Sequence, residues 1–113
     1  MILFFKTPSQ NIIATEVDHK LSQDETNELC WLYGNASLVD AESLDGYYVG
    51  PRREMITPWS TNAVEITQNM ALKGISRIEE YFPVSSMDAE HDPMLQRMYN
   101  GLNQDIFTVN ITS

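Results

Sequence analysis

Few residues in this sequence are of types that do covalent or metal chemistry: one thiol, Cys30, and two imidazoles, His19 and His91. Taken as nucleophile and base, Cys30 and His19 would make a small hydrolase. A working pair needs a third group to orient the imidazole, and no spacing in the chain supplies one. The charges around Cys30 are negative, which opposes thiolate formation. Between Leu29 and Trp31 it reads instead as a small buried hydrophobe. Glu90-His91-Asp92 has metal-binding residue types, but neighbours at the start of a helix point to different sides, so solvated polar residues ahead of Pro93 are the expectation. The glycines at 34, 46, 50, 74 and 101 are scattered and form no phosphate-cradling loop. The sequence therefore assigns no catalytic, cofactor-binding or metal-binding residue, and recognition is the chemistry left to it.

Recognition has one strong candidate, the segment Gly50-Pro51-Arg52-Arg53-Glu54-Met55-Ile56-Thr57-Pro58-Trp59-Ser60-Thr61-Asn62-Ala63. Trp and Arg dominate interface hot spots, which makes Arg52, Arg53, Trp59 and Ser60, with Arg77 further on, candidates for contact with another domain. The competing reading is a strand–loop–helix junction with Trp59 in the core. Charge narrows the partner. Seven basic against 16 acidic residues give a net charge of −9, which disfavours phosphate-backbone binding and so nucleic acid. Residues 46–78 run against this trend, with Arg52, Arg53, Lys73 and Arg77 against only Glu54 and Glu65. These cations either pair with acidic faces of the domain or form a patch for an anionic partner surface. The second possibility defines a stand-alone protein-interaction module using an Arg-rich patch.

The elements that must position this segment follow from local signals. Ile2–Lys6 and Ile12–Val17 read as strands around the turn Thr7-Pro8-Ser9-Gln10-Asn11. Ser22 with Glu25 three residues on is a capping box for a helix carrying Leu29, Leu32 and Tyr33, ended by Gly34-Asn35. Ala36–Asp45 reads as a loop and Tyr47–Val49 as a short strand. Thr57-Pro58 opens a second helix, with a stripe of Trp59, Ala63, Ile66 and Met70 that closes at Leu72-Lys73-Gly74. On that regularity the stripe favours Trp59 as a core residue. Ile75–Val84 suits a strand. Asp92-Pro93 then repeats the cap-and-proline signal before Leu95, Met98, Leu102, Ile106 and Val109, a helical stripe to about residue 107, although Ile106–Ile111 fits a strand equally. The order β-β-α-β-α-β-α makes an α+β domain, one sheet with helices packed on it.

At 113 residues and 42% hydrophobic the chain is one domain with its own core. A single Cys excludes a disulfide framework. The longest apolar run, Met1–Phe5, is far below the ~20 residues of a membrane span. With no basic leader before it, the run is not expected to be a secretory signal either. A cytoplasmic protein with no membrane partner is the expectation.

Across residues 47–82 the pattern Pro51-Arg52, Ile56-Thr57-Pro58-Trp59-Ser60-Thr61, Ala63, Ile66, Asn69, Leu72 and Ser76-Arg77-Ile78-Glu79 resembles the N-terminal domain of large single-chain phosphoribosylformylglycinamidine synthases, the PurL family. Asn11–Val17 and Leu95–Phe107 are collinear but looser. Glu54, Asn62 and Met70 stand where the family often has Gly, Lys and Cys. The resemblance implies a PurS-like, ferredoxin-like-related fold for residues 1–113 and a non-catalytic scaffold role in purine biosynthesis. It also implies that the chain is a fragment of a longer ATP-dependent glutamine amidotransferase and ligase. The implied partners are that enzyme's synthetase and glutaminase regions, between which ammonia passes. ATP and magnesium are implied for the synthetase region and no cofactor for these residues. Surface meant for those regions would be uncovered in the isolated chain, leaving it open to self-association.

Overall fold

The computed structural model describes residues 1–109, with six strands and two helices in the order β-β-α-β-β-α-β-β. β1 (Ile2–Lys6) and β2 (Ile12–Val17) form an antiparallel hairpin, Ile2 opposite Glu16 and Lys6 opposite Ile12. α1 (Gln23–Leu32) opens on the expected capping box: Ser22 Oγ accepts the Glu25 N–H at 3.1 Å, and the Glu25 carboxylate accepts the Ser22 N–H at 2.9 Å. β3 (Ser37–Leu38), β4 (Leu44–Pro51), α2 (Pro58–Asn69), β5 (Ile75–Val84) and β6 (Gln96–Leu102) follow. The strands lie in the order β3-β1-β2-β5-β4-β6, and every neighbouring pair is antiparallel. An α+β domain with helices on one sheet is therefore what the chain forms.

Alternation along the strands sends apolar side chains to both faces. Phe5, Ile13, Val17, Ile75 and Ile78 meet Leu29 and Tyr33 of the α1 region and Leu72 after α2. Ile2, Phe4, Ile12, Ala14, Tyr48, Tyr81, Tyr99 and Leu102 line the opposite face, where Ile106, Val39, Leu44 and Phe107 close over them. Gln104 fastens that closure. Its side-chain oxygen accepts the Ile2 N–H at 2.7 Å, and its amide donates to the Ile2 and Glu42 carbonyls at 2.9 Å each. Gly50 is required where β4 crosses Tyr81, because a Cβ there would sit 2.3 Å from the ring.

Three expectations are corrected. The segment after Asp92 is a strand, not a helix. Asp92-Pro93 does start a capped turn, in which Asp92 Oδ1 accepts the Met94 N–H at 3.0 Å. The chain then extends as β6 along β4, where Tyr99 opposite Tyr48 is the deeply buried residue that a helical stripe leaves out. The Asn100-Gly101 step, with Gly101 at φ 83°, fits the strand's end. Residues 106–107 close a turn and residues 108–109 lie in no strand, so the described part of Ile106–Ile111 is not a strand; residues 110–113 lie outside those described. Ala36–Asp45 is not all loop, because β3 and the start of β4 fall within it. The α2 stripe is rotated: Ser60 and Thr67 are fully buried, with Ala63, Val64 and Met70 packed beside them, whereas Trp59 and Ile66 are 45% and 46% exposed. Small hydroxyl residues let α2 sit close on β5. The Thr67 hydroxyl donates to the Val64 carbonyl at 2.6 Å, and Ser60 Oγ accepts the Ile78 N–H at 3.0 Å.

Candidate functional site

The recognition segment is built around a buried ion pair. Arg77 and Glu79, two apart on β5, project to one side of the strand and are 5% and 1% exposed. Arg77 Nε donates to Glu79 Oε2 at 2.9 Å. Its terminal nitrogens donate to the carbonyls of Arg53 (2.6 Å), Arg52 (3.2 Å) and Met55 (3.0 Å), and the guanidinium lies 4.5 Å from the Phe107 ring centre. Glu79 in turn accepts the Thr57 hydroxyl at 2.6 Å and the Thr57 N–H at 3.2 Å. Thr57 Oγ1 caps α2 by accepting the Ser60 N–H at 3.0 Å. Tyr99 completes the anchor, its hydroxyl donating to the Pro51 carbonyl at 2.5 Å. The loop from Pro51 to Thr57 is thus held from inside by its backbone. A charged pair removed from water persists only when its remaining donors and acceptors are satisfied, and here the loop carbonyls and Thr57 satisfy them.

This placement divides the interdomain candidates. Arg77 and Ser60 are internal: one neutralises Glu79 and gathers the loop, the other receives the Ile78 N–H. Arg52, Arg53 and Arg77 therefore form no common cationic patch. Arg52 donates to Glu54 at 2.6 Å on the surface and reaches the Pro93 carbonyl at 3.4 Å. A hydrogen bond from its own backbone, and then the Arg52 guanidinium, draw the Glu54 carboxyl below its ordinary range. Arg53 stacks over the Tyr99 ring, 5.1 Å from its centre. Trp59 faces outward at the first turn of α2, contrary to the core expectation. Beside it runs a groove of about 410 Å3 lined by Pro51, Thr57, Trp59, Phe82, Leu95 and acidic neighbours. Phe82 and Leu95 were not legible as site residues. Phe82 sits in a strand with no clean alternation, and Leu95 keeps the spacing of a helical stripe.

The other chemistry-bearing groups are dispersed. His19 engages Asp18 at 2.7 Å and Glu25 at 3.3 Å, and those two hydrogen bonds raise its pKa above the ordinary value. Its ring nitrogens thus go to carboxylates, and Cys30 packs half-buried against the α1-side core. His91 Nδ1 lies 3.1 Å from the Ala89 carbonyl. Among the described residues no group of three or more His, Cys, Asp and Glu side chains is placed to hold a metal ion. No helix among them is long and apolar enough to cross a membrane.

Fold and corner together define a class: a small α+β domain on an antiparallel sheet, whose most buried charges form an ion pair that fixes a loop and displays an aromatic residue. The family model for the formylglycinamide ribonucleotide amidotransferase N-terminal region matches residues 10–106. The chain belongs to that family and is an N-terminal domain of this purine-biosynthesis amidotransferase. No solved structure matches it.

Proposed function

We propose that this domain is a non-catalytic scaffold of phosphoribosylformylglycinamidine synthase, an ATP-dependent, glutamine-using ligase of the cytoplasm. In this reading it bridges the synthetase and glutaminase regions so that ammonia released by one reaches the other. ATP and magnesium belong to the synthetase region, not to these residues. The observation that carries the reading is the corner itself. The segment is locked from within by Arg77, Glu79 and Tyr99, yet it leaves Trp59 and Arg52 on the surface. A large aromatic displayed in solvent at the first turn of a capped helix is the residue type that anchors an interface, because it has only two side-chain torsions to order when it is covered.

The test is Trp59→Ala in the complete amidotransferase. Glutamine-dependent synthesis should fall several-fold while synthesis supported by added ammonium is retained. Equal loss of both, or loss of neither, removes the bridging role.

A further inference from the structure

We propose that the groove between Trp59 and Phe82 receives an extended segment of a neighbouring region of the amidotransferase, one that carries Lys or Arg beside an apolar side chain. The proposal rests on the docking role assigned above and adds the chemistry of what docks. The core beneath α1 and α2 draws strand residues from β1, β2 and β5 and none from β4 or β6, and α2 reaches this half of the sheet through Trp59 at its first turn. On the same face, Phe82, Val49 and Met98 lie in one row across β5, β4 and β6. Phe82 is 41% exposed and Leu95 56%, and both line one groove with Pro51 and Trp59. That is an apolar floor of the kind that marks an interaction site.

Charge selects the occupant. The groove's lining holds Glu79, Glu80 and Asp92 and no Lys, Arg or His. Arg77 neutralises Glu79 internally. Among the described residues neither Glu80 nor Asp92 has a cation within ion-pair distance. Asn11 donates to Glu80 at 3.4 Å, and the Met94 N–H donates to Asp92 at 3.0 Å. A second copy of this chain, at −9, would bring an acidic groove against an acidic groove in a two-fold dimer, so like charges oppose that occupant. A cationic and apolar segment satisfies both the floor and the rim.

The experiment uses the 113-residue chain carrying Trp31→Phe, which leaves Trp59 as its one fluorophore of that type. It is titrated at low salt with acetylated, amidated Lys-Leu-Phe-Lys-Leu and with the matching Glu-Leu-Phe-Glu-Leu. The basic peptide should bind about fivefold more tightly than the acidic one or better, the scale of two exposed ion pairs. The double variant Glu80→Gln/Asp92→Asn should lose that preference with an unchanged melting temperature. Equal or stronger binding of the acidic peptide overturns the proposal. So does a preference that survives the double variant, no binding at millimolar peptide, or a concentration-dependent dimer dissolved by Phe82→Glu. In the complete enzyme, uncoupling by Trp59→Ala without any effect of Glu80→Gln/Asp92→Asn overturns the cationic occupant and leaves the bridging role standing. Coupling unchanged in both removes the bridging role.

Discussion

The two halves of the helix-side sheet face are built from similar residues and end in different states. Under α1 and α2, Phe5, Ile13 and Ile78 are almost fully withdrawn from water. On the half around β4 and β6, Tyr47 of β4 and Phe82 at the end of β5 stay 39% and 41% exposed although both are large aromatics. Exposed apolar residues on a small domain are ordinary when scattered; Phe82, Leu95 and Trp59 exposed around one groove are not. The difference teaches that the buried polar apparatus here serves display. Arg77, Glu79, Thr57 and Ser60 hold the boundary between the halves, so that the covered half carries stability and the uncovered half is free to make contacts.

The largest effect should come from the boundary. Arg77→Ala leaves Glu79 buried without its partner and should cost about 3–5 kcal/mol, read as a collapse of the urea midpoint. On the covered half, Leu29→Ala should cost about 2–5 kcal/mol by cavity formation. Ser60→Ala orphans the buried Ile78 N–H and should cost about 1–3 kcal/mol. Phe82→Ala and Trp59→Ala, on the uncovered half, should each cost less than about 1 kcal/mol. If either matched Leu29→Ala, the distinction between the halves would fail.

The smallest effect lies far from this boundary, at His19 and Glu25. The folded-state pKa of His19 is raised by its hydrogen bonds to Asp18 and Glu25. Its contribution is therefore fully present below the ordinary value of 6.5 and is lost as pH rises through the folded value. Glu25 is lowered, chiefly by the Ser22 backbone N–H and then by His19. Its contribution is present above 4.5 and is lost as pH falls through the folded value. Both act together between those two ordinary values. Melting temperature should thus decline slightly from about pH 5.5 to 8, the range in which His titrates, and His19→Gln should flatten the slope.

Local signals in the sequence were sufficient where a few neighbouring residues decide the structure. The Ser22–Glu25 box and the Thr57-Pro58 cap both open helices as their chemistry dictates, whereas the same cap-and-proline signal at Asp92-Pro93 makes only a turn. The sequence failed where tertiary pairing decides. Leu95, Met98 and Leu102 keep helical spacing, but β4 offers an open edge and Tyr99 has a slot against Tyr81, with the two rings edge to face at 5.2 Å. The site was legible as a segment and not as a geometry. Trp59 and Arg52 do face outward, whereas Arg77 and Ser60 turn inward because Glu79 and the Ile78 N–H require them. No periodicity announces a buried ion pair, although Arg77 and Glu79 two apart on a strand share a side. That spacing is the one signal that pointed to it.

The most direct test of the account compares the two tryptophans. Trp31 is 70% exposed on α1, away from the groove, and Trp59 is 45% exposed beside the groove of the uncovered half. Hydroxyl-radical labelling of the isolated chain should modify both. In the complete amidotransferase, Trp59 labelling should fall several-fold more than Trp31 labelling, because the uncovered half is the contact surface. Trp59 labelled as strongly in the complete enzyme as in the isolated chain would contradict it.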